Sequence, residues 1–152
     1  IIYLTIYLVM SLGAFGCIFM FKRESIFYEN INELSGMSKN HPKLAFSFLI
    51  ILFSLAGIPP LAGFFAKFYI FVSVIEVKMY PLAVIGLLTT VVSAFYYLRI
   101  IKIIYFDNPK KRFDEIYDWG LKISLIVSTI LILVFFIKPS SLTNIISKIT
   151  LY

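Results

Sequence analysis

Two adjacent prolines, Pro59 and Pro60, interrupt a long apolar stretch and constrain the fold of this chain more than any other feature. The apolar runs on either side, residues 43–56 and 64–77, are each about fourteen residues long, or roughly 21 Å as α-helix. Neither run alone spans a hydrocarbon core of about 30 Å. Because each proline removes a backbone N–H and clashes with the carbonyl four residues back, we predict one membrane crossing made of two half-helices.

The composition supports a membrane location for this broken helix. Hydrophobic residues make up 61% of the 152 residues, charged residues make up 14%, and the mean hydropathy is +0.95. These values are typical of integral membrane proteins and exclude a soluble domain with one core. The net charge of +6 does not indicate nucleic-acid binding, because the basic residues flank apolar segments. The chain opens at Ile1 inside an apolar run, so we expect it to be the C-terminal part of a longer protein.

The predicted joint extends from Gly57 to Gly63, and these two glycines supply backbone freedom on either side of the prolines. The prolines are expected to release the carbonyl groups of Leu55 and Ala56 from their helical hydrogen bonds. Such groups persist at membrane depth only where protein or a water-filled cavity surrounds them. The sequence therefore predicts buried water or polar neighbours at the break.

Lys67 is the candidate functional residue, because it follows the break and lies about ten residues before the next polar cluster. That separation, roughly 15 Å of helix, places it near the midplane of the membrane and too deep to reach the surface easily. An ionisable residue at such a depth is a candidate for proton transfer. Two other interpretations stay open: the Pro-Pro break only shapes helix packing, or Lys67 is a fixed ion-pair partner.

The acidic residues offer Lys67 no deep partner within this sequence, since all of them fall in connections or at helix ends. They are Glu24, Glu29, Glu33, Glu76, Asp107, Asp114, Glu115 and Asp118. Either water alone accompanies Lys67, or its counter-charge belongs to upstream helices of the longer protein or to another subunit. We favour the second possibility, because an unpaired charge at that depth is costly.

The remaining segments complete an all-α integral membrane fold with four crossings, of which the second is discontinuous. The crossings are predicted at about residues 1–21, 43–77, 82–106 and 119–138, with interfacial helices at about 25–35 and 141–151. In the first crossing, Ser11, Gly13, Gly16 and Cys17 are expected to serve close helix packing. In the third, Gly86, Thr90, Ser93 or Ala94, and Tyr97 fall on one face, which either packs against a neighbour or lines a water path; we favour packing.

Redox and hydrolytic motifs are absent from the sequence, which contains no G-x-G-x-x-G, Cys-x-x-Cys or His-Glu-x-x-His. Its one cysteine, Cys17, and one histidine, His41, form no metal or haem site by themselves. We therefore expect no cofactor and no metal in this chain, and we do not expect the chain alone to be catalytic.

Three groups of residues resemble a known family. They are the pattern Gly-x-Pro-Pro-x-x-Gly-Phe-x-x-Lys over residues 57–67, the segment Glu33-Leu34-Ser35-Gly36 with Asn40-His41-Pro42, and Tyr96-Tyr97-Leu98-Arg99. The sequence resembles the antiporter-like membrane subunits of respiratory complex I, most of all the subunit N family, whose mitochondrial counterpart is NADH dehydrogenase subunit 2. The Pro-Pro pattern is shared with Mrp-type cation/proton antiporters.

The resemblance implies the last four helices of a fourteen-helix subunit and assigns Lys67 to a proton path in the helix broken at Gly57, Pro59, Pro60 and Gly63. It implies a proton-translocating subunit of NADH:quinone oxidoreductase in the bacterial inner membrane or the mitochondrial inner membrane. Its expected partners are the other membrane subunits, the lipid bilayer and upstream helices of the same subunit, while flavin and iron–sulfur clusters belong to partner subunits. The alternatives are a subunit of an Mrp-type antiporter and a structural membrane protein without transport.

Overall fold

The computed structural model describes residues 2–20, 22–23, 26–27, 30–109 and 119–137. Within these residues the chain forms six α-helices: α1 (Ile2–Phe19), α2 (Met37–Asn40), α3 (Pro42–Ala56), α4 (Ala62–Glu76), α5 (Tyr80–Phe106) and α6 (Trp119–Ile137). A 3₁₀ turn at Ile31–Leu34 and an antiparallel pair of two-residue strands, β1 (Lys22–Arg23) and β2 (Ile26–Phe27), lie between α1 and α2. Apart from this short pair, the described elements are helical, which confirms the all-α prediction.

Helix α3 is the centre of the bundle and packs against each of the other α-helices. Its side chains are buried on several sides: Phe48, Ile51 and Leu52 are each at most 3% exposed. A helix that is apolar all round is stable only when neighbours cover it, and here α1, α5 and α6 do so. The last turn of α3, with Ser54, Leu55 and Ala56, therefore lies in the interior of the fold, whereas Pro59 and Pro60 after it are exposed.

Helices α1 and α6 approach each other through small residues. A Cβ atom added to Gly13 would lie 2.7 Å from the Cβ of Ser128, and one added to Gly16 would lie 3.5 Å from the Oγ of Ser124. Cys17 is fully buried in the same region of α1. Small residues allow helix backbones to come close where lipid supplies no hydrophobic driving force. The prediction of close packing is confirmed for Gly13 and for the buried Cys17, while Gly16 has room for a Cβ atom.

Helix α5 is the longest element and, among the described helices, the one that is long and apolar enough to cross a membrane. Only 6% of its most apolar eighteen-residue window is buried within the chain. Its outer surface carries large apolar side chains such as Leu88, Val91 and Phe95. An exposed apolar surface of this length is unfavourable in water and must be in contact with other apolar groups.

The helix ends that the structure describes lie within two residues of the ends of the apolar segments 1–21, 43–77, 82–106 and 119–138. Helix α5 begins at Tyr80, two residues earlier than predicted, because Pro81 occupies its first turn. A proline is tolerated there, since the missing N–H would have no partner within the helix. Helix α6 begins at Trp119 as predicted. Residues 1, 21 and 138, at the ends of predicted crossings, lie outside the described residues.

The interfacial helix predicted over residues 25–35 is wrong in the part that the structure describes. Residues 26–27 are extended, and only Ile31–Leu34 form a single 3₁₀ turn. The turn stops because Gly36 adopts a left-handed conformation with φ of 65° and donates its N–H to the carbonyl of Ile103 at 3.1 Å. This contact draws Leu34 into the core instead of leaving it at an interface. The helix predicted over residues 141–151 lies outside the described residues.

Candidate functional site

The connection between α3 and α4 contains Gly57, Ile58, Pro59, Pro60 and Leu61, and the peptide bond between the prolines is cis. Gly57 ends α3 with φ of 82°, and its N–H donates to the carbonyl of Ser54 at 3.0 Å. The N–H of Ile58 donates to the carbonyl of Phe53 at 3.1 Å. This pair of bonds is a Schellman motif, which commonly requires glycine after the last helical residue. The end of α3 is therefore built by Gly57 before either proline is reached.

The carbonyl of Leu55, which the sequence predicted to be released, accepts a hydrogen bond from Nζ of Lys67 at 2.8 Å. Lys67 is the sixth residue of α4 and reaches back across the connection to the final turn of α3. A helix C-terminus carries partial negative charge and binds cations favourably. The polar neighbour that the break needs is thus Lys67 itself, and the helix end supplies part of the counter-charge that the lysine needs.

Ser54 ties the start of α4 to the end of α3. Its Oγ accepts the backbone N–H of Gly63 at 3.0 Å and donates to the sulfur of Met10 at 3.0 Å. Helix α4 has no side-chain cap at Leu61, so Ser54 satisfies one of its unpaired amide groups from another helix. Gly63 belongs to the first turn of α4, where a Cβ atom would overlap the carbonyl oxygen of Ser54. The two helices therefore cross in close backbone contact.

Sequence reasoning did not single out Ser54 as a site residue. The sequence feature that could have indicated Ser54 is the hydroxyl of a serine within an apolar helix, one turn before the break. Its role depends on the path of the connection, because its partner Gly63 is nine residues away.

We expect Ser54→Ala to destabilise the complete subunit by about 1–2 kcal/mol, because the amide of Gly63 would be buried without a partner. The thermal unfolding midpoint of the purified assembly measures this change. Ser73→Ala is the matched control, since the Ser73 hydroxyl is exposed and only donates to the carbonyl of Tyr69. Equal midpoints for the two variants would contradict the assigned role of Ser54.

A cavity of about 270 Å³ lies beside Lys67, between α1, α4 and α5. Water occupies about 30 Å³ per molecule in the liquid, so the cavity has room for several water molecules. Most of its lining is polar and consists of Lys67, Tyr3, Tyr7, Thr89, Thr90, Ser93 and Tyr97. The described lining residues include no carboxylate. Lys67 therefore faces hydroxyl groups, with no acidic partner among the described residues that line its cavity.

The sequence left two interpretations open for the polar face of α5, packing against a neighbour and lining a water path, and different residues of the face fit each of them. A Cβ atom at Gly86 would lie 3.0 Å from the ring of Phe71, so packing holds for this position. Thr90, Ser93 and Tyr97 instead line the cavity with Lys67. The interpretation favoured from the sequence, that this face only packs, is wrong for Thr90 and Ser93 because a space large enough for water lies beside them, while Tyr97 both lines that space and packs against the core.

Metal ligands are not gathered at this site. In the part of the chain that the structure describes, no group of three His, Cys, Asp or Glu side chains is placed to hold an ion. The chemistry available beside the break is that of an amine, hydroxyl groups and backbone carbonyls.

The family model described as NADH:quinone oxidoreductase/Mrp antiporter, transmembrane, matches residues 1–93, which include the break and Lys67. The chain belongs to this family. Membership in the NADH:quinone oxidoreductase/Mrp antiporter family makes the chain a membrane protein, which confirms the class that composition indicated.

Individual relatives refine the family assignment. The chain is 60% identical to NADH-quinone oxidoreductase subunit N of Pelagibacter ubique, over 99% of this chain and 32% of that protein. It is 49% identical to subunit N of Parvibaculum lavamentivorans, over 93% of this chain and 29% of that protein. The sequence thus spans about a third of the length of these curated relatives. Their names and the matched region confirm the resemblance to the C-terminal part of subunit N.

A solved structure supports the fold. A chain of respiratory complex I from Thermus thermophilus superposes with a TM-score of 0.73 at 26% identity, covering 91% of this chain and 32% of that chain. The helical architecture described above is therefore that of a complex I membrane subunit.

Proposed function

We propose that this chain is part of a proton-translocating membrane subunit of NADH:quinone oxidoreductase and that Lys67 is its proton-transfer residue. The observation that carries the proposal is the position of Lys67, with Nζ on the open end of α3 and the side chain lining a polar cavity. The subunit N relatives support the assignment to this enzyme rather than to an antiporter without redox partners.

The hydrogen-bond donors of the Lys67 ammonium group are placed so that they support proton transfer. An ammonium group has three donors, of which one is held by the Leu55 carbonyl. The other two are available to water in the cavity, and one of them can leave as a proton. Because the charge is stabilised by the end of α3, a movement of α4 against α3 changes how strongly the ammonium form is held. Neighbouring subunits that shift this junction would therefore drive proton uptake and release at Lys67.

The proposed membrane topology has four crossings, the second formed by α3 and α4 together. Each of these helices has fifteen residues, or about 22 Å, and is too short for a hydrocarbon core of about 30 Å. Paired across the connection, they supply one crossing with the break and Lys67 in its middle. The single region of residues 1–152 then carries no soluble domain.

The chain acts in this proposal as a non-redox subunit. The family resemblance assigns flavin and the iron–sulfur clusters to partner subunits, and the one cysteine and one histidine of the chain agree with this for the clusters. The partners are the other membrane subunits of complex I, the upstream helices of the same subunit and the lipid bilayer. Since the relatives reported above are bacterial, the inner membrane of a bacterium is the preferred location over that of a mitochondrion.

The test is to purify the native assembly that contains this chain in mild detergent and to assay flavin, iron–sulfur absorbance and NADH:quinone activity together. All three are expected to co-purify, and the assembly reconstituted into liposomes is expected to acidify one side when NADH is oxidised. Large membrane partners that exchange cations for protons without any redox centre would overturn the proposal in favour of an Mrp-type antiporter.

A further inference from the structure

Three hydroxyl groups on α5 that line the Lys67 cavity have their hydrogens engaged elsewhere. Thr89 and Thr90 both donate to the carbonyl of Gly86 at 2.9 Å, and Ser93 donates to the carbonyl of Thr89 at 2.9 Å. A hydroxyl has one hydrogen to donate and two lone pairs that accept. With the hydrogen bonded to its own helix, each of these oxygens presents only acceptor capacity to the cavity.

The opposite side of the cavity has different chemistry. It is lined by the phenol groups of Tyr3 and Tyr7 on α1, and Tyr97 lies farther along α5. A phenol both donates and accepts. The cavity therefore has one wall that only accepts hydrogen bonds, formed by Thr89, Thr90 and Ser93, and another part that also donates.

Water between Lys67 and the accepting wall has one favourable orientation. Its hydrogens point to the hydroxyl oxygens of α5, and its oxygen points to Lys67. An ammonium group donates to such a water, whereas the lone pair of a neutral amine needs a donor. The accepting wall therefore matches the protonated form of Lys67.

Resting on the function proposed above, we propose that Thr90 and Ser93 are positioning residues, which orient the water beside Lys67 so that its oxygen receives the proton that the ammonium group releases. The effect is transmitted through water and does not need direct contact with the lysine. Reloading requires a group that donates a proton to the lone pair of the neutral amine, and a phenol on the tyrosine side of the cavity can do so and regain its own proton from water. Proton release and proton loading at Lys67 are thus served by different sides of the cavity, one lined by the hydroxyl groups of α5 and the other by the phenol groups.

The experiment uses the complete subunit in the assembled, reconstituted complex, with the rate of proton translocation measured under NADH oxidation. Thr90→Val keeps the shape of the side chain and removes the hydroxyl, and Ser93→Ala removes the second one. The double variant is expected to translocate protons about tenfold more slowly, since the water beside Lys67 loses two of its hydrogen-bond acceptors. Thr90→Ser retains a hydroxyl and is expected to restore the rate.

Thr129→Val is the matched control, because the Thr129 hydroxyl donates to its own helix at the carbonyl of Leu125 but lies in the core of α6, away from this cavity. It should leave the rate unchanged. If the Thr90/Ser93 double variant pumps at the wild-type rate while Lys67→Met does not pump, the inference falls and the proposed function stands. If Lys67→Met also pumps normally, both fall. Equal loss in Thr90→Ser and Thr90→Val would mean that packing matters and would overturn the inference.

A second measurement decides the matter even if the double variant does not assemble. An electron cryomicroscopy map of the wild-type complex, at a resolution that shows water, should contain ordered water bridging Nζ of Lys67 to the oxygens of Thr90 and Ser93. A side chain or lipid tail filling that space in place of water would overturn the inference.

Discussion

Replacing Lys67 by methionine is expected to abolish proton translocation by the assembled complex, with a loss of at least about 100-fold. Methionine has a similar length and an apolar tip, so it fills the position without a group that gains or loses a proton. The carbonyl of Leu55 loses the donor that the structure gives it, at a cost of about 1–3 kcal/mol, which lowers the stability of the subunit without preventing assembly. The measurement is NADH-driven acidification of proteoliposomes, normalised to the amount of assembled complex.

Two further variants separate proton transfer from charge and from general effects of lysine replacement. Lys67→Arg keeps a cation and a donor for the end of α3, but a guanidinium does not release a proton in proteins, so this variant should assemble and fail to pump. Lys43→Met removes an exposed lysine from the first turn of α3 and should pump normally. Wild-type pumping by Lys67→Arg would show that Lys67 holds the helix junction together and transfers no proton.

The sequence predicted the location of the junction because its causes are local. Proline excludes a helical hydrogen bond wherever it falls, and glycine after a helix permits a left-handed residue. The observed end of α3 at Ala56 and the left-handed Gly57 follow from these preferences. The same holds for the start of α6 at Trp119, where a charged connection gives way to an apolar run.

The hydrogen-bond partners of Lys67 and Gly63 could not be predicted from the sequence, because they depend on the direction that α4 takes after the connection. The bond from Lys67 to Leu55 joins residues twelve apart, and the bond from Gly63 to Ser54 joins residues nine apart. Five connecting residues set that direction, and small changes in their torsion angles would carry Lys67 away from the end of α3. The sequence therefore identified a lysine in need of a counter-charge but did not indicate that the end of α3 supplies part of it.

The polar wall of α5 was misjudged for a related reason. Hydroxyls on one helical face fit packing and a water path equally well, and only the position of the facing helix distinguishes them. Tyr3 and Tyr7 of α1 line the same cavity as this face, and that arrangement depends on helix packing that the sequence pattern does not show. The segment before α2 was misjudged because its conformation is set by Gly36 and its contact with Ile103, about seventy residues away in the chain.

Gly63→Ala is expected to prevent most of the subunit from assembling, although alanine is the better helix former. The added Cβ would overlap the carbonyl oxygen of Ser54, a backbone atom that cannot rotate away. Helix α4 must then move from α3, which breaks the bond from Gly63 to Ser54 and the bond from Lys67 to Leu55 together. Overpacking and the loss of buried hydrogen bonds amount to about 3 kcal/mol or more. The amount of subunit in the native complex, resolved by native gel electrophoresis, measures the outcome.

Gly16→Ala provides the comparison, because it makes the same chemical change inside a helix where there is room. The nearest atom to the added Cβ is the Oγ of Ser124 at 3.5 Å, an ordinary contact. Alanine gains about 1 kcal/mol of helix propensity over glycine, so this variant should assemble as well as the wild type or better. Equal assembly of Gly16→Ala and Gly63→Ala would mean that α4 does not cross α3 in backbone contact. Lys67 would then not be held at the end of α3, and the junction could not couple helix movement to its protonation.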